Sequence, residues 1–254
     1  MTNRHTRILE ALTKNRRIEV TVLADMLEVS QVTVRKDLDR LEEQGLIRRK
    51  HGFASIESTD DVGMRLAYHY NIKRRIAAAA AESVAEGETV MIESGSCCAL
   101  LAEELANTKR DITIITNSAF IANHIRYAPY GKTVLLGGDY QKESQVTVGP
   151  ITRKCAEMFF ADKFFIGADG FTGKFGFTGK DHLRAQTVQE LTGLARQVLV
   201  LTESEKFKHQ GAVGLVRADQ VRVLYTDDNI PPDIETSLLE KNLTIHKVCS
   251  DMAG

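Results

Sequence analysis

Cysteine is scarce in this chain: Cys97, Cys98, Cys155 and Cys249 are the four residues, with no CxxC and no Cys/His ligand spacing. The adjacent pair cannot be bridged without strain, so the set reads as reduced thiols of a cytosolic protein. Long apolar runs are missing too. No stretch of about 18 apolar residues occurs, and the alanine run at 77–81 is too short and too weakly apolar to span a bilayer. The start, MTNRHTRILEAL, has no apolar segment suited to a signal peptide. These absences predict a soluble, cytoplasmic protein with no membrane partner. An excess of one charge sign is also lacking, since 33 Lys and Arg stand against 34 Asp and Glu, a net charge of -1.

What is present is a chain of 254 residues, 43% hydrophobic, long enough for one large core or for a small domain joined to a larger one. Disorder does not fit that composition. The charge is unevenly placed: residues 1–52 hold eleven Lys or Arg against eight Asp or Glu, and the remainder holds 22 against 26. In the basic part, Ile8, Leu9 and Leu12 recur at helical spacing after a Thr2 or Asn3 cap. Val22, Leu23, Met26 and Leu27 give a second short amphipathic segment. Ser30 is an N-cap for a third helix that ends at Gly45. On a helical wheel Val34, Leu38 and Leu41 fall within about 60° of one another and face a small core.

The opposite side of that third helix carries Val32, Thr33, Lys36, Asp39 and Arg40, flanked by Gln31 and Arg35. An amide, a hydroxyl and cations in the first turns suit a helix that enters a major groove, bonding base edges and neighbouring phosphates. Asp37 and Asp39 would repel phosphates unless they orient neighbouring Arg or Lys side chains. Leu46 and Ile47 then anchor a strand, and Arg48, Arg49, Lys50 and His51 form a compact basic run before the turn at Gly52. Three short helices followed by a basic hairpin describe a winged helix-turn-helix. The plainer alternative is a three-helix interaction domain whose charges are a solvated face.

The stretch VSQVTVRKDLDRLEEQGLIRRKHG, with RILEAL and the helix before it, resembles the DNA-binding signature of the DeoR family of bacterial transcription regulators over residues 4–52. The family usually carries a second glycine after His-Gly, where this chain has Phe53. The resemblance implies a double-stranded DNA operator as partner, with Ser30, Gln31, Thr33, Arg35, Lys36 and Arg40 at the groove and its phosphates. Arg48, Arg49 and His51 are implied for the wing.

Residues 1–56 are therefore expected to form the DNA-binding domain and 57–73, which lose the helical period and turn acidic, a linker. Residues 74–254 are left for a larger domain, opened by a helix over about 72–85. There TVMIE (89–93), ITIIT (112–116), TVLLG (133–137), KFFIGAD (163–169), QVLVLT (197–202) and VRVLYTD (221–227) read as strands separated by helices. Short continuous apolar runs of this kind predict an α/β fold with a mostly parallel sheet covered on both faces. Ligands of such sheets bind beyond the carboxyl ends of the strands. The residues there are Ser94, Gly95 and Ser96; Thr116, Asn117 and Ser118; Gly137 and Gly138; Asp169; and Lys206. Hydroxyls, glycines, helix N-terminal amides and a cation suit a phosphate.

Residues 65 to about 249 also resemble the sensing domain of the same family, through RLAYHYNIKRRIA, ESGS, TNS, GG, VGP and ESEKF. That domain is similar to pentose-phosphate isomerases and CoA transferases. The resemblance implies a phosphorylated sugar or sugar alcohol as effector, a homo-oligomer, and repression of a carbohydrate-utilisation operon. Two departures stand out: Glu93 replaces the usual aspartate, and Arg184 and Val188 stand where relatives often carry glutamate and lysine. Arg184 can instead add an anion contact.

Two other readings share this fold: a sugar-phosphate isomerase or transferase, for which Asp169, Lys180 and Asp181 are the relevant residues, and a regulator whose second domain only oligomerises. No enzyme is expected, nor any catalytic residue or cofactor. The seven histidines lack ligand spacing and read as surface or wing residues, so no metal is expected. Phe159, Phe160, Phe164 and Phe165 read as core.

Overall fold

The computed structural model describes residues 3–43, 46–50, 52–55 and 62–250, so Thr2, Gly45 and His51 lie outside it. The chain divides into two compact units, 1–71 and 72–254. The first runs α1 (Asn3–Asn15), β1 (Arg17–Glu19), α2 (Val20–Leu27), α3 (Gln31–Glu43), β2 (Arg48–Lys50), β3 (Phe53–Ser55) and α4 (Val62–Ala67). Ile8, Leu9 and Leu12 of α1, Leu23 of α2, and Val34, Leu38 and Leu41 of α3 are each 0% exposed and form its core. The three strands pair antiparallel in the order β1-β3-β2, and Gly52 turns between β2 and β3 at φ +82°. This is the winged helix-turn-helix expected. Asn3 lies inside α1 rather than capping it. Within the stretch read as a linker, 62–67 is helical, with Val62 and Leu66 buried one turn apart.

Helix α5 (Tyr70–Glu82) begins in the last two residues of the first unit and runs into the second, which continues β4 (Thr89–Ile92), α6 (Ser96–Thr108), β5 (Thr113–Thr116), α7 (Ala119–His124), β6 (Lys132–Leu135), β7 (Asp139–Gln141), β8 (Val146–Val148) and α8 (Pro150–Ala156). Then follow β9 (Ala161–Gly167), β10 (Gly170–Thr172), β11 (Gly176–Gly179), α9 (His182–Thr192), β12 (Ala195–Leu201), β13 (Val213–Val216), β14 (Val223–Asp227), α10 (Pro232–Leu239) and β15 (Thr244–Val248). Seven strands form one sheet in the order β15-β14-β12-β9-β4-β5-β6, parallel at every pairing.

Both faces of the central strands β4, β5, β9, β12 and β14 are covered, which explains their unbroken apolar runs, while the edge strands β6 and β15 stay largely exposed. Met91, Ile115, Phe164, Ile166, Val200 and Leu224 join a cluster with Ala185, Val188 and Leu191 of α9 and Leu238 of α10. The alternate residues Val90, Ile92, Ile114, Phe165, Leu199 and Leu201 point the other way and are equally buried, at 0–1% exposure. Each fully buried side chain of this size contributes about 1.5–3 kcal/mol. Phe171, Phe177 and Phe207 belong to the first cluster and meet edge to face at 5.2–6.4 Å.

Two expectations about packing are corrected. Phe160 is 65% exposed, because it follows the end of α8 and precedes the buried part of β9; Phe164 and Phe165 are fully buried and Phe159 packs partly against the core. Among the histidines, His5 is buried at 4% and the His124 side chain is 1% exposed. Each is held by a carboxylate 3.0 Å away, Asp37 and Glu103 respectively.

Candidate functional site

In the first unit, α3 is set by its cap and its buried stripe. Ser30 Oγ accepts from the Thr33 amide at 3.2 Å, a contact whose loss costs about 1 kcal/mol. The turn before it is closed by Glu28 at φ 56°, where the Glu28 and Val29 amides return to Asp25 and Ala24 of α2. Gln31, Val32, Arg35, Lys36, Asp39 and Arg40 are exposed and Thr33 is half-buried. The side opposite Val34, Leu38 and Leu41 therefore offers the polar groups together.

The two aspartates of α3 have different roles. Asp37, 4% exposed, faces inward and takes hydrogen bonds from the Arg4 guanidinium and from the His5 ring of α1. Burial alone would raise its pKa, but the bonds from Arg4 and His5 hold the carboxyl below the ordinary range. It locks α3 to α1 instead of meeting phosphates. Asp39 pairs with the Arg49 guanidinium, and Glu42 Oε1 accepts from the Arg49 amide at 2.8 Å. Two carboxylates of α3 thus fix the position of the wing strand.

In the second unit the strand order reverses at β4. Strands β5 and β6 run out on one side of it, and the chain returns to lay β9, β12, β14 and β15 on the other. The crevice beyond the carboxyl ends of β4 and β9 is the switch point where such sheets bind ligands. Ile92, Thr116 and Leu135 are in register across β4, β5 and β6, while Phe165 and Leu199 continue the row through β9 and β12. With strands about 4.8 Å apart, the ESGS, TNS, GG, AD and ESEK segments line one edge side by side.

The β4–α6 turn lies against the end of β9. A Cβ at Gly95 would stand 3.0 Å from the Gly167 Cα, so only glycine allows the two backbones to approach there. Gly95 caps α6 with no side-chain hydrogen bond. Ser94 Oγ lies 2.5 Å from Glu93 Oε1 and accepts from Arg184 at 3.2 Å, with Arg184 also 3.6 Å from Glu93. Arg184 is brought there by α9, which Asp181 caps by accepting from the Arg184 amide at 2.8 Å. Burial would raise the Asp181 carboxyl, yet that bond and one from Gln141 hold it lower. Val188 joins the core.

Thr116 and Ser118 are engaged locally. Thr116 Oγ1 accepts from the Ser118 amide, and Ser118 Oγ caps α7 through the Ile121 amide. Asn117 Nδ2 donates to the Thr147 carbonyl at 2.9 Å, and its Oδ1 is buried without a hydrogen-bond partner. Gly138 is a packing residue: at φ +150° its Cβ would overlap Thr152 Oγ1 at 1.9 Å. Gly137 is exposed and Asp169 half-buried, its amide donating to the Thr178 carbonyl.

A further cluster lies at this edge, and the sequence signals it only through Lys73, three residues before the buried Ile76. Lys73 Nζ is 3.1 Å from Glu203 Oε1, both nearly fully buried, and the Cys97 thiol lies 3.8 Å from Glu203 Oε2. Burial, and then the Glu203 charge, push the Cys97 thiol well above its usual value against the opposing pull of Lys73 and Lys206. Lys206 is thus within electrostatic reach of the first turn of α6. Ser204 bonds Asp227 through both its amide and its hydroxyl at 2.7 Å, pinning the turn that carries Lys206. A separate groove of about 360 Å³, lined by Phe175, His182, Gln186, Gln189 and Gln210 among others, shares none of the expected effector residues. Among the described residues no group of three or more His, Cys, Asp or Glu could hold a metal ion, and no helix is long and apolar enough to cross a membrane.

A winged helix with an exposed polar face on α3, joined in one chain to a doubly wound parallel sheet, is the layout of a transcription regulator with a sensor domain. Family models agree: one described as a DeoR-like helix-turn-helix domain matches residues 4–60, and one described as a DeoR C terminal sensor domain matches residues 68–228. The chain belongs to the DeoR family of transcription regulators. It is similar to the HTH-type transcriptional regulator UlaR of Escherichia coli O127:H6 and of Shigella sonnei, 28% identical to each over 250 residues, 96% of this chain and 98% of the relative. Among solved structures, a probable sor operon regulator from Shigella flexneri aligns with a TM-score of 0.43 at 12% identity, covering 66% of this chain and 88% of that one. Ribose 5 phosphate isomerase A from Neisseria gonorrhoeae aligns at 0.40 and 15% identity, over 54% of this chain and 52% of that one.

Proposed function

We propose that this regulator is a cytoplasmic repressor of a carbohydrate-utilisation operon whose affinity for its DNA operator is set by a phosphorylated sugar or sugar alcohol. Residues 1–56 contact the duplex and residues 74–254 bind the effector and associate with other copies. The observation that carries this reading is the division of α3 into a buried stripe and an outer face of exposed Gln31, Arg35, Lys36 and Arg40 with half-buried Thr33. Gln31, Thr33 and Lys36 reach base edges in the major groove, with Arg35, Arg40, Arg48 and Arg49 on phosphates. Association of the sensing units sets reading helices about 10 bp, or a multiple, apart.

The effector's phosphate sits at the first turn of α6, among Ser94, Ser96, Arg184 and Lys206, with Asn117 at its side. It changes DNA affinity by binding the competent and incompetent arrangements unequally. The chain performs no catalysis: its relatives are named as regulators, Glu93 is held by Ser94 and Arg184, and Asp181 is occupied as a helix cap.

Binding isotherms test this reading. Lys36→Ala should weaken binding to the selected duplex and relax sequence preference, while Arg48→Ala should weaken binding to all duplexes and flatten the salt dependence by about one phosphate contact. Ser96→Ala and Lys206→Ala should blunt the response to a phosphorylated sugar and leave effector-free DNA binding intact. Normal isotherms and effector titrations in all four variants would reject the site assignments.

A further inference from the structure

In a parallel sheet the segments that enter the strands gather at the amino edge, opposite the edge that carries the proposed effector residues. Thr89, Thr113 and Lys132 begin β4, β5 and β6 in register, and the Thr89 amide donates to Asp162 Oδ2 at 3.0 Å, which places the start of β9 beside them. The four entries differ in chemistry. Met158 and Phe160, before β9, are 79% and 65% exposed. Glu82, where α5 ends, and Glu86, in the turn before β4, are both exposed, while Glu88 is taken up by Lys163 at 2.6 Å. Arg110 before β5 and Lys132 at the start of β6 are exposed cations, with Asp111 the carboxylate among them. Tyr127 and Tyr130, before β6, are 84% and 36% exposed, each with a guanidinium over its ring, Arg126 at 4.3 Å and Arg110 at 5.6 Å. Among the described residues Glu82, Glu86, Arg110 and Lys132 form no ion pair within the chain.

We propose that this amino edge is where two sensing domains join, a second copy of the chain meeting the first about a two-fold axis that passes between β4 and β5. The inference rests on the reading above that residues 74–254 associate with other copies, and it names the surface. The order along the edge supplies the argument: apolar at β9, acidic at β4, basic at β5, aromatic and basic at β6. A two-fold axis reverses that order in the second copy, so Glu82 and Glu86 face its Arg110 and Lys132, while Met158 and Phe160 meet its Tyr127 and Tyr130. An edge in this order is complementary to itself, whereas an edge of one charge sign repels its own copy. A nucleic acid fits less well, because the carboxylates stand one or two strand spacings, about 5–10 Å, from the cations. The area fits as well. At about 150–250 Å² for a whole aromatic side chain, Tyr127, Tyr130 and Phe160 leave roughly 400 Å² uncovered, half of the ~800 Å² each partner gives to a standard interface. Tyr, Phe, Met and Arg are also the residue types enriched at such interfaces. Joined in this way, the two copies leave the opposite edge open to the effector.

The test uses the full chain, free of effector and DNA, in sedimentation equilibrium. Two charge-reversed variants, Glu82→Lys with Glu86→Lys and Arg110→Glu with Lys132→Glu, should each sediment at half the wild-type mass, the dissociation constant rising at least about 100-fold. Mixed in equal amounts, the two should regain the wild-type mass, because each then meets charges of opposite sign. Phe160→Ser should weaken association at least about 10-fold. Circular dichroism melts identify folded variants, and Phe160→Ser decides the matter if a reversed variant does not fold. Wild-type mass in the folded variants would overturn this surface while leaving association through another in place. Half mass with no recovery on mixing would overturn the two-fold arrangement. Weaker duplex binding at unchanged mass in the Arg110 and Lys132 variant would assign the basic half to DNA and overturn the proposal equally. A wild-type chain that sediments as a monomer would instead overturn the association reading on which this inference depends.

Discussion

Replacing Asp37 by asparagine asks whether one buried carboxylate fixes α3 against α1. Asp37 is 4% exposed and takes hydrogen bonds from both Arg4 and His5. Breaking a fully buried ion pair by removing one partner costs about 3–5 kcal/mol. The Arg4 side chain is 35% exposed and keeps part of its hydration. The asparagine oxygen also retains an acceptor, so the expected cost falls to about 2 kcal/mol. Hydrogen exchange near neutral pH reads that loss locally: the amides of Leu38 and Leu41 should exchange roughly 30-fold faster, while those of β9 and β12 are unchanged. Because Arg4 and His5 lower the folded carboxyl's pKa, its contribution is fully present above the unfolded value of about 3.9 and is lost as pH falls through the lower folded value. The difference between wild type and variant should therefore shrink on acidification. Equal exchange near neutral pH, or a difference that persists undiminished in strong acid, would refute the reasoning.

A double-mutant cycle on Asp39→Ala and Arg49→Ala, read as DNA affinity, should show a coupling of about 0.5–1 kcal/mol, the scale of a partly exposed pair. Strict additivity would mean that Asp39 does not position Arg49. Gly95→Ala should destabilise the sensor domain by about 1–3 kcal/mol in thermal melts, since its Cβ would press on Gly167, and an unchanged melting temperature would contradict that close approach. Arg184→Ala should remove most of the thermal stabilisation given by a phosphorylated sugar and leave DNA affinity without effector unchanged. Full stabilisation in that variant would take Arg184 out of the effector site.

The large sheet was legible in the sequence because burial on both faces demands unbroken apolar runs such as TVMI and TIIT. The edge strand β15 was not: TIHKV is mostly exposed or half-exposed, so no apolar run marks it. Short β10, β11 and β13 carry too many glycines to read as strands. Helix α4 rests on two buried residues, Val62 and Leu66, and follows an acidic stretch that hides the period.

The polar anchors have a different reason. Asp37 stands three residues after Val34 and four before Leu41, and Lys73 three before Ile76, so each lies on a buried stripe that periodicity alone could have flagged. Their partners, Arg4 and Glu203, are far along the chain, and only the fold brings them within reach. The same holds for Arg184, whose position in the sequence shows neither Ser94 nor Glu93. Strand ends, by contrast, were readable in advance: once the apolar runs are known, topology places Ser94, Asn117, Gly137, Asp169 and Lys206 along one edge without further information.

The most direct measurement is selection of duplexes from sheared genomic DNA by the full-length protein. Affinity for a selected fragment is then compared with that for random duplex at fixed salt, before and after a panel of phosphorylated sugars and sugar alcohols is added. A reading helix governed by a sensor domain should prefer the selected fragment by at least about 10³-fold, and at least one phosphorylated compound should change that preference. Equal affinity for selected and random duplex, with no response to any compound, would contradict it.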